Sequence, residues 1–492
     1  MKREIFSFNK AEEAVRLTTY NDDNAVKREK IRFKAWFGYN SLTYKKRWNT
    51  MKTLFIIITV SIALSYGWGM RGSLIGSERG AVLPGALLGM FLALFSGSEI
   101  IAQNFWFFAA AGGAAMAYGG IQTYGQTLGF ITHRGKPDFA PKKGYAGVAI
   151  KGGLWHGISG AVLGIMFSAA GGQYYKPLSI VIFFALIPFI QELGGLIFNK
   201  PFKPKENIFP KFYFSIDRRE EWGANLLTLI CLFIFTLAHK DYYAFFFSLT
   251  GLIGGAAGFS GGMAIFDYIE NPHKNGKKFL GSRNNWLSGW KAMEFSFGAI
   301  AGVFFAIYFV ATKDTMLKER IDLIEANGGI WNPLGSLADT LPWIAAVLVL
   351  LVKTVELFPK KIGSHAVDVI QRPVVFVIPM ILSLLGSSLG AQLGAFSLIV
   401  YFAAEKTIFD RIDKFSKKTK PIVITVFALI TLASVICQAF LELPKIAYIL
   451  MYTILYIMAN GITTKHFGPT HKTVNAYFLL QTAYLIIVTL SL

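Results

Sequence analysis

Apolar stretches of near-span length recur along almost the whole chain, separated by short polar segments. Reading back from the C-terminus, hydrophobic spans are expected at 476–492, 445–461, 421–440, 390–404, 374–388, 342–358, 287–310, 242–266, 223–238, 178–198 and 148–170. A bilayer core of about 30 Å takes roughly 20 apolar residues to cross as a helix. Only a helix or a closed barrel satisfies its backbone in lipid, and stretches of this length are helices. The pattern therefore predicts an all-α, polytopic membrane helix bundle with about 13–15 hydrophobic segments. The loops 406–420, 360–372, 274–283 and 200–219 are rich in Lys and Arg and read as cytoplasmic. The segment 312–341 balances its basic residues with Asp314, Glu319, Asp322 and Glu325 and reads as outside.

The register falters near the start. The hydrophilic leader and the basic loop 133–143 both read as cytoplasmic, so an even number of crossings must join them. Hydropathy offers three, at 53–70, 81–98 and 100–119. Either one of these does not cross, or the Gly-interrupted stretch 120–132 supplies a fourth. A broken or re-entrant helix is thus expected near the N-terminal spans, where protein or water can satisfy the interrupted backbone. The expected organisation is a basic cytoplasmic tail, 1–52, and one polytopic transmembrane domain, 53–492. The tail is far longer than a secretory n-region, so no cleaved signal peptide is expected.

Composition agrees with the pattern. Of 492 residues, 53% are hydrophobic and 16% charged, against about a quarter charged in soluble domains. Mean hydropathy is +0.46. The formal net charge of +20 would suggest nucleic acid in a soluble protein, but the Lys and Arg fall mainly between spans and no nucleic-acid-reading motif accompanies them. The expected partners are membrane lipids and a small polar or anionic solute, not nucleic acid, with a homo-oligomer left open. Cys231 and Cys437 lie within apolar stretches without metal-ligand spacing. No metal and no cofactor are expected. The expected location is a cell membrane (the inner membrane if the source is bacterial), crossed many times, with the N-terminus cytoplasmic.

A Gly-x-x-x-Gly pattern recurs at Gly85/Gly89, Gly160/Gly164, Gly298/Gly302 and Gly390/Gly394. Glycines four apart let two helix backbones approach, so these pairs predict packing seams.

Against this apolar background a few polar residues stand out. The densest group, 67–85, holds Trp68, Arg71, Glu78 and Arg79 among glycines. An arginine presents a planar fork for carboxylate or phosphate, and Glu78 can pair with one arginine while the other takes a ligand. A second group places Trp155 and His156 inside a span, where an ionisable residue is costly and points to function. In a third, Lys291 and Glu294 are three apart on one helix face and placed to neutralise each other. Glu294 and His156 each stand four residues before a glycine pair, an equivalence that predicts a shared cavity. Glu192 is another carboxylate within a span. Tyr124 and Gln126, in the interrupted segment, offer uncharged donors and acceptors that with Trp68 and Trp155 suit a polar solute.

Together these features predict a secondary transporter of a small polar or anionic solute, and not an enzyme. Arg71, Glu78, Arg79, Trp68, Tyr124, Gln126 and Trp155 would hold the solute, and His156, Glu294, Lys291 and Glu192 would carry a coupling proton. No catalytic residues are assigned. Two alternatives stand beside it. One is a membrane-embedded glycosyl- or acyltransferase acting on a lipid-linked substrate, with Glu78 or His156 as its acid or base. The other is a structural subunit of a membrane complex. Convergence of the polar residues on a closed central site favours transport, an opening toward lipid favours the enzyme, and dispersal favours the scaffold.

Overall fold

In a computed structural model of the chain the described residues are 50–71, 80–120, 122, 124–133, 135–217, 220–270, 288–338, 340–341, 344, 376–388, 390 and 471–491. The spans expected at 421–440 and 445–461, and nearly all of 342–358 and 390–404, lie outside them, as do Glu78, Arg79 and Cys437. The chain forms two units, Met1–Phe55 and Ile56–Leu492.

Among the described residues the architecture is helical, apart from one isolated bridge between Lys203 and Ile208. The helices are α1 (Thr50–Arg71), α2 (Val82–Leu94), α3 (Glu99–Gln103), α4 (Phe105–Gly119), α5 (Gly125–Thr132), α6 (Pro141–Ala169), α7 (Pro177–Asn199), α8 (Trp222–Ala238), α9 (Tyr242–Glu270), α10 (Gly289–Thr312), α11 (Met316–Ala326), α12 (Ile378–Leu384) and α13 (His471–Ser491). Six of the described helices, namely α1, α6, α7, α9, α10 and residues 473–491 of α13, are long and apolar enough to cross a membrane. The protein is an all-α membrane helix bundle.

Glycine decides which helices meet. α6 packs along α9, where a Cβ on Gly160 would fall 2.6 Å from the Phe247 carbonyl oxygen and one on Gly152 would fall 2.7 Å from Phe259 Cβ. α9 in turn meets α10, Gly258 against the Phe297 backbone and Gly262 against that of Met293. The predicted seams are helix contacts: Gly85 and Gly89 face the α4 backbone at Gly112 and Phe108, Gly160 and Gly164 face α9, and Gly298 and Gly302 face α1. Gly394 lies outside the described residues.

The contacts also fix helix directions. Gly302 meets Ser61, Gly298 meets Leu64, and Gly69 meets Phe295, so α1 runs antiparallel to α10. α2 leaves Gly67 at Pro84 and ends where the Lys313 ammonium donates to the Phe95 carbonyl at 3.0 Å. α4 returns antiparallel to α2 and stops with Gly119 against Trp155, halfway along α6. After the break at 120–124, α5 continues the same way, with Thr127 against Gly147 and Ile131 against Gly144. α4 and α5 are therefore two halves of one discontinuous crossing. The stretch 120–132 completes the crossing begun by α4 and does not supply one of its own, and the Ile56 end of α1 is directed toward the face that carries Thr312.

Candidate functional site

The breaks in the bundle meet at one depth: the C-terminal turn of α1, the α4–α5 interruption and the first turns of α10 surround the middle of α6. Arg71, on the last residue of α1, is 4% exposed. Its guanidinium carbon lies 4.4 Å from the Trp155 ring centroid, 4.8 Å from that of Tyr124 and 5.3 Å from that of Trp68. Arg71 also hydrogen-bonds the Tyr124 hydroxyl. Desolvated cation–π contacts of this kind are worth about 2 kcal/mol or more.

α10 supplies the other charges. The Lys291 ammonium is ion-paired with the Glu294 carboxylate, one helical turn away, and donates to the Gly69 carbonyl oxygen at 2.6 Å. The pair expected from the three-residue spacing is formed, and it ties the end of α1 to the start of α10. Both side chains are buried, and both lie within the electrostatic reach of Arg71.

Trp68 joins the two groups. Its ring stacks on His156 at 5.5 Å, meets Trp155 edge-on at 4.7 Å and lies 4.3 Å from Phe297. Trp155 donates its Nε1–H to the Met116 carbonyl at 2.5 Å, which holds α4 against α6. His156 Nδ1 sits 3.1 Å from the Gly152 carbonyl oxygen, one turn back. A carbonyl can only accept, so in the neutral imidazole Nδ1 carries the hydrogen and Nε2 is the lone-pair acceptor. Among the described residues, His156 Nε2 and Trp68 Nε1 are both buried and have no hydrogen-bond partner.

Of the residues singled out in the sequence, the structure brings together Trp68, Arg71, Tyr124, Trp155, His156, Lys291 and Glu294. Two are elsewhere. The Gln126 side-chain oxygen accepts from the Ser215 hydroxyl at 2.6 Å and from the Ile216 and Asp217 amides at 2.7 and 2.9 Å, which makes it a clamp on the loop between α7 and α8. Glu192 is exposed on α7 beside Phe189, Leu193 and Leu196, on the face directed away from the bundle. Gln126 and Glu192 are therefore not brought into this cluster. Glu78 and Arg79 lie outside the described residues.

Two buried ion pairs escaped the sequence reading. Lys151 on α6 lies 3.3 Å from Glu220 and donates to the Thr127 hydroxyl at 2.9 Å. Arg320 on α11 pairs with Asp241 at 2.8 Å. The first left a signal, a lysine inside a span. The second left only Asp241 just before an apolar run, an N-cap position. Among the described residues no group of three or more His, Cys, Asp or Glu side chains is placed to hold a metal. Comparison with known proteins finds no matching family model, no matching curated protein and no matching solved structure.

Proposed function

We propose that the protein is a secondary transporter of a small polar or anionic solute in a cell membrane, with a proton as the coupling ion. One observation carries this reading. Beside a buried cluster of Arg71, Lys291 and Glu294, the donor Trp68 Nε1 and the acceptor His156 Nε2 are both enclosed and find no partner among the described residues. Burying a polar group without a partner costs several kcal/mol, so atoms like these suit a site that a polar guest enters and leaves. Arg71 then takes the anionic or most polar group of the solute, with Trp68, Tyr124 and Trp155 as walls. Glu294 and His156 exchange the coupling proton. The closure of the cluster from lipid favours this reading over an enzyme whose lipid-linked substrate must arrive sideways. The exposed apolar face of α7 meets lipid acyl chains.

The test is uptake into proteoliposomes under an imposed pH gradient, screened over small carboxylic and neutral polar solutes. The wild-type protein should accumulate one class in a gradient-dependent way. Glu294→Gln should abolish gradient-driven uptake while eluting as the same monodisperse species. Undiminished driven uptake in that variant removes Glu294 from coupling, and a blank across the whole screen removes the transporter reading.

The basic loops 133–143, 200–219 and 274–283 support a cytoplasmic location for one face of α6–α10. Because α1 runs antiparallel to α10, its Ile56 end is then directed to the other face, and the expected cytoplasmic leader competes with the expected cytoplasmic loops. Several loops outweigh one segment, so Gly135→Cys should react with an impermeant thiol reagent from the cytoplasm and Asp314→Cys from outside. The opposite pattern would invert the whole bundle.

A further inference from the structure

The two ion pairs that the site does not use lie at opposite ends of the same helices. At one end, Lys151 on α6 reaches Glu220, just before α8, and the Thr127 hydroxyl on α5. The same carboxylate accepts the Phe214 amide at 2.6 Å, and Thr127 donates to the Phe214 carbonyl at 2.7 Å. Three separate pieces of chain are thereby drawn over the α4–α5 break. At the other end, Arg320 on α11 donates to Asp241 at 2.8 Å and, through Nε, to the Ser168 hydroxyl on α6 at 2.7 Å. Tyr175 donates its hydroxyl to the second Asp241 oxygen at 2.7 Å, and the Ala244 amide at the start of α9 donates to the first at 3.1 Å. The loops 170–176 and 239–241 and the helix α11 are closed together by this one carboxylate. Burial first, and the Asp241 carboxylate second, hold the Tyr175 phenol well above its ordinary range, so it stays a donor.

The spacing is suggestive. Lys151 and Ser168 are seventeen residues apart on α6, or about 25 Å along the axis, and His156 lies between them. One rigid helix thus carries a charged closure on either side of the central cluster.

The chemistry separates such closures from ordinary packing. A buried ion pair adds little net stability, and apolar residues of similar volume would often be as stable. What charges gain is hydration when they separate. An apolar seam exposed to water loses its whole stabilisation, whereas parted ions recover much of theirs from solvent, so the cost of opening is lower. Glycines of α6 bring its backbone close against α9, so the two helices meet through a seam with few large side chains.

We infer that Lys151–Glu220 and Asp241–Arg320 are the two seals of the solute path, opening in alternation on opposite faces of the central site. This rests on the transporter reading above. Each pair works by exclusion of water and takes no part in holding the solute.

The experiment places a reporter thiol between the seals. In a background with Cys231→Ser and Cys437→Ser, Ser159→Cys is introduced on α6, and an impermeant maleimide is added to vesicles of either orientation. With both seals intact, labelling should be slow from both faces. Asp241→Asn with Arg320→Gln should speed it roughly tenfold or more from the Tyr174 face alone. Lys151→Met with Glu220→Gln should do the same from the Gly135 face alone. The Asp241→Asn/Arg320→Gln variant removes both charges of its pair together, and the swapped pair Asp241→Arg with Arg320→Asp should slow labelling again. Acceleration from both faces by either variant would make the pairs plain structural ties, and indifference to both variants would also overturn the inference. Solute uptake is scored separately. Face-specific labelling in a protein that moves no solute keeps the seals and removes the transporter, while uptake with labelling blind to both pairs does the reverse.

Discussion

α6 and α7 are consecutive helices of similar length, and they use their side chains in opposite ways. The central stretch of α6 is 89% buried, that of α7 only 28%. Yet α7 is the more apolar of the two, with Leu178, Ile182, Leu186, Phe189, Leu193 and Leu196 all exposed. α6 carries Lys151, His156 and a run of glycines. In water the ranking would be reversed. In lipid there is no hydrophobic drive between helices, so close backbone approach and polar contacts decide which helix is central. Large aliphatic side chains mark the surface instead. The most hydrophobic helix is therefore a poor guide to the core of this bundle, and the glycine-rich one a good guide.

The largest effect should come from filling the seam of α6. A Cβ at Gly152 would fall against the Gly255 carbonyl oxygen and one at Gly160 2.6 Å from that of Phe247, well inside van der Waals contact, and overpacking of this kind costs about 3 kcal/mol or more. Gly152→Leu and Gly160→Leu should give little or no monodisperse protein on size exclusion. On α7, a Cβ at Gly195 meets nothing within 4 Å, and Gly195→Leu should change stability by less than about 0.5 kcal/mol. Equal damage at the two helices would dissolve the contrast between them.

The next effect separates the charges from the packing. Lys291→Met alone leaves Glu294 buried beside an apolar side chain, at a cost of about 3–5 kcal/mol. Lys291→Met combined with Glu294→Leu removes both charges and should recover most of that loss in thermal unfolding in detergent. If the double variant is as unstable as the single one, the pair supplies a packing constraint and the bundle interior is less adaptable than the ion-pair argument holds.

These contrasts also show what was legible in the sequence. Hydropathy located α1, α6, α7, α8, α9, α10 and α13 because a lipid-crossing helix must be long and continuous. The glycine pairs were legible for a similar reason, since so little else does their job. The central cluster was readable in part because an ionisable residue in a span is rare enough to stand out, as His156 and Glu294 do. The failures have one cause. Hydropathy is blind to the direction in which a residue points around its helix. Glu192 and Glu294 look alike in sequence, but one faces outward and the other inward. Gln126 looked like a site residue, but a loop 89–91 residues later in the chain folds onto its side-chain oxygen. Asp241–Arg320 joins positions distant in sequence that no local pattern links.

The smallest predicted effect returns to α7. A carboxylate on a lipid-directed face gains nothing from the bundle, since its neighbours Phe189, Leu193 and Leu196 offer it no donor. Glu192→Leu should therefore move the unfolding midpoint by little, within the roughly 0.5 kcal/mol typical of surface substitutions. It should also leave driven uptake at the wild-type rate, where Glu294→Gln abolishes it. The same residue type in two apolar helices then gives opposite results, because orientation about the helix axis sets whether a charge has partners. A Glu192→Leu protein that is folded but inactive would restore Glu192 to the proton path. It would mean that α7 turns this face inward during the transport cycle, and the division between a working α6 and a lipid-facing α7 would hold for only one state of the protein.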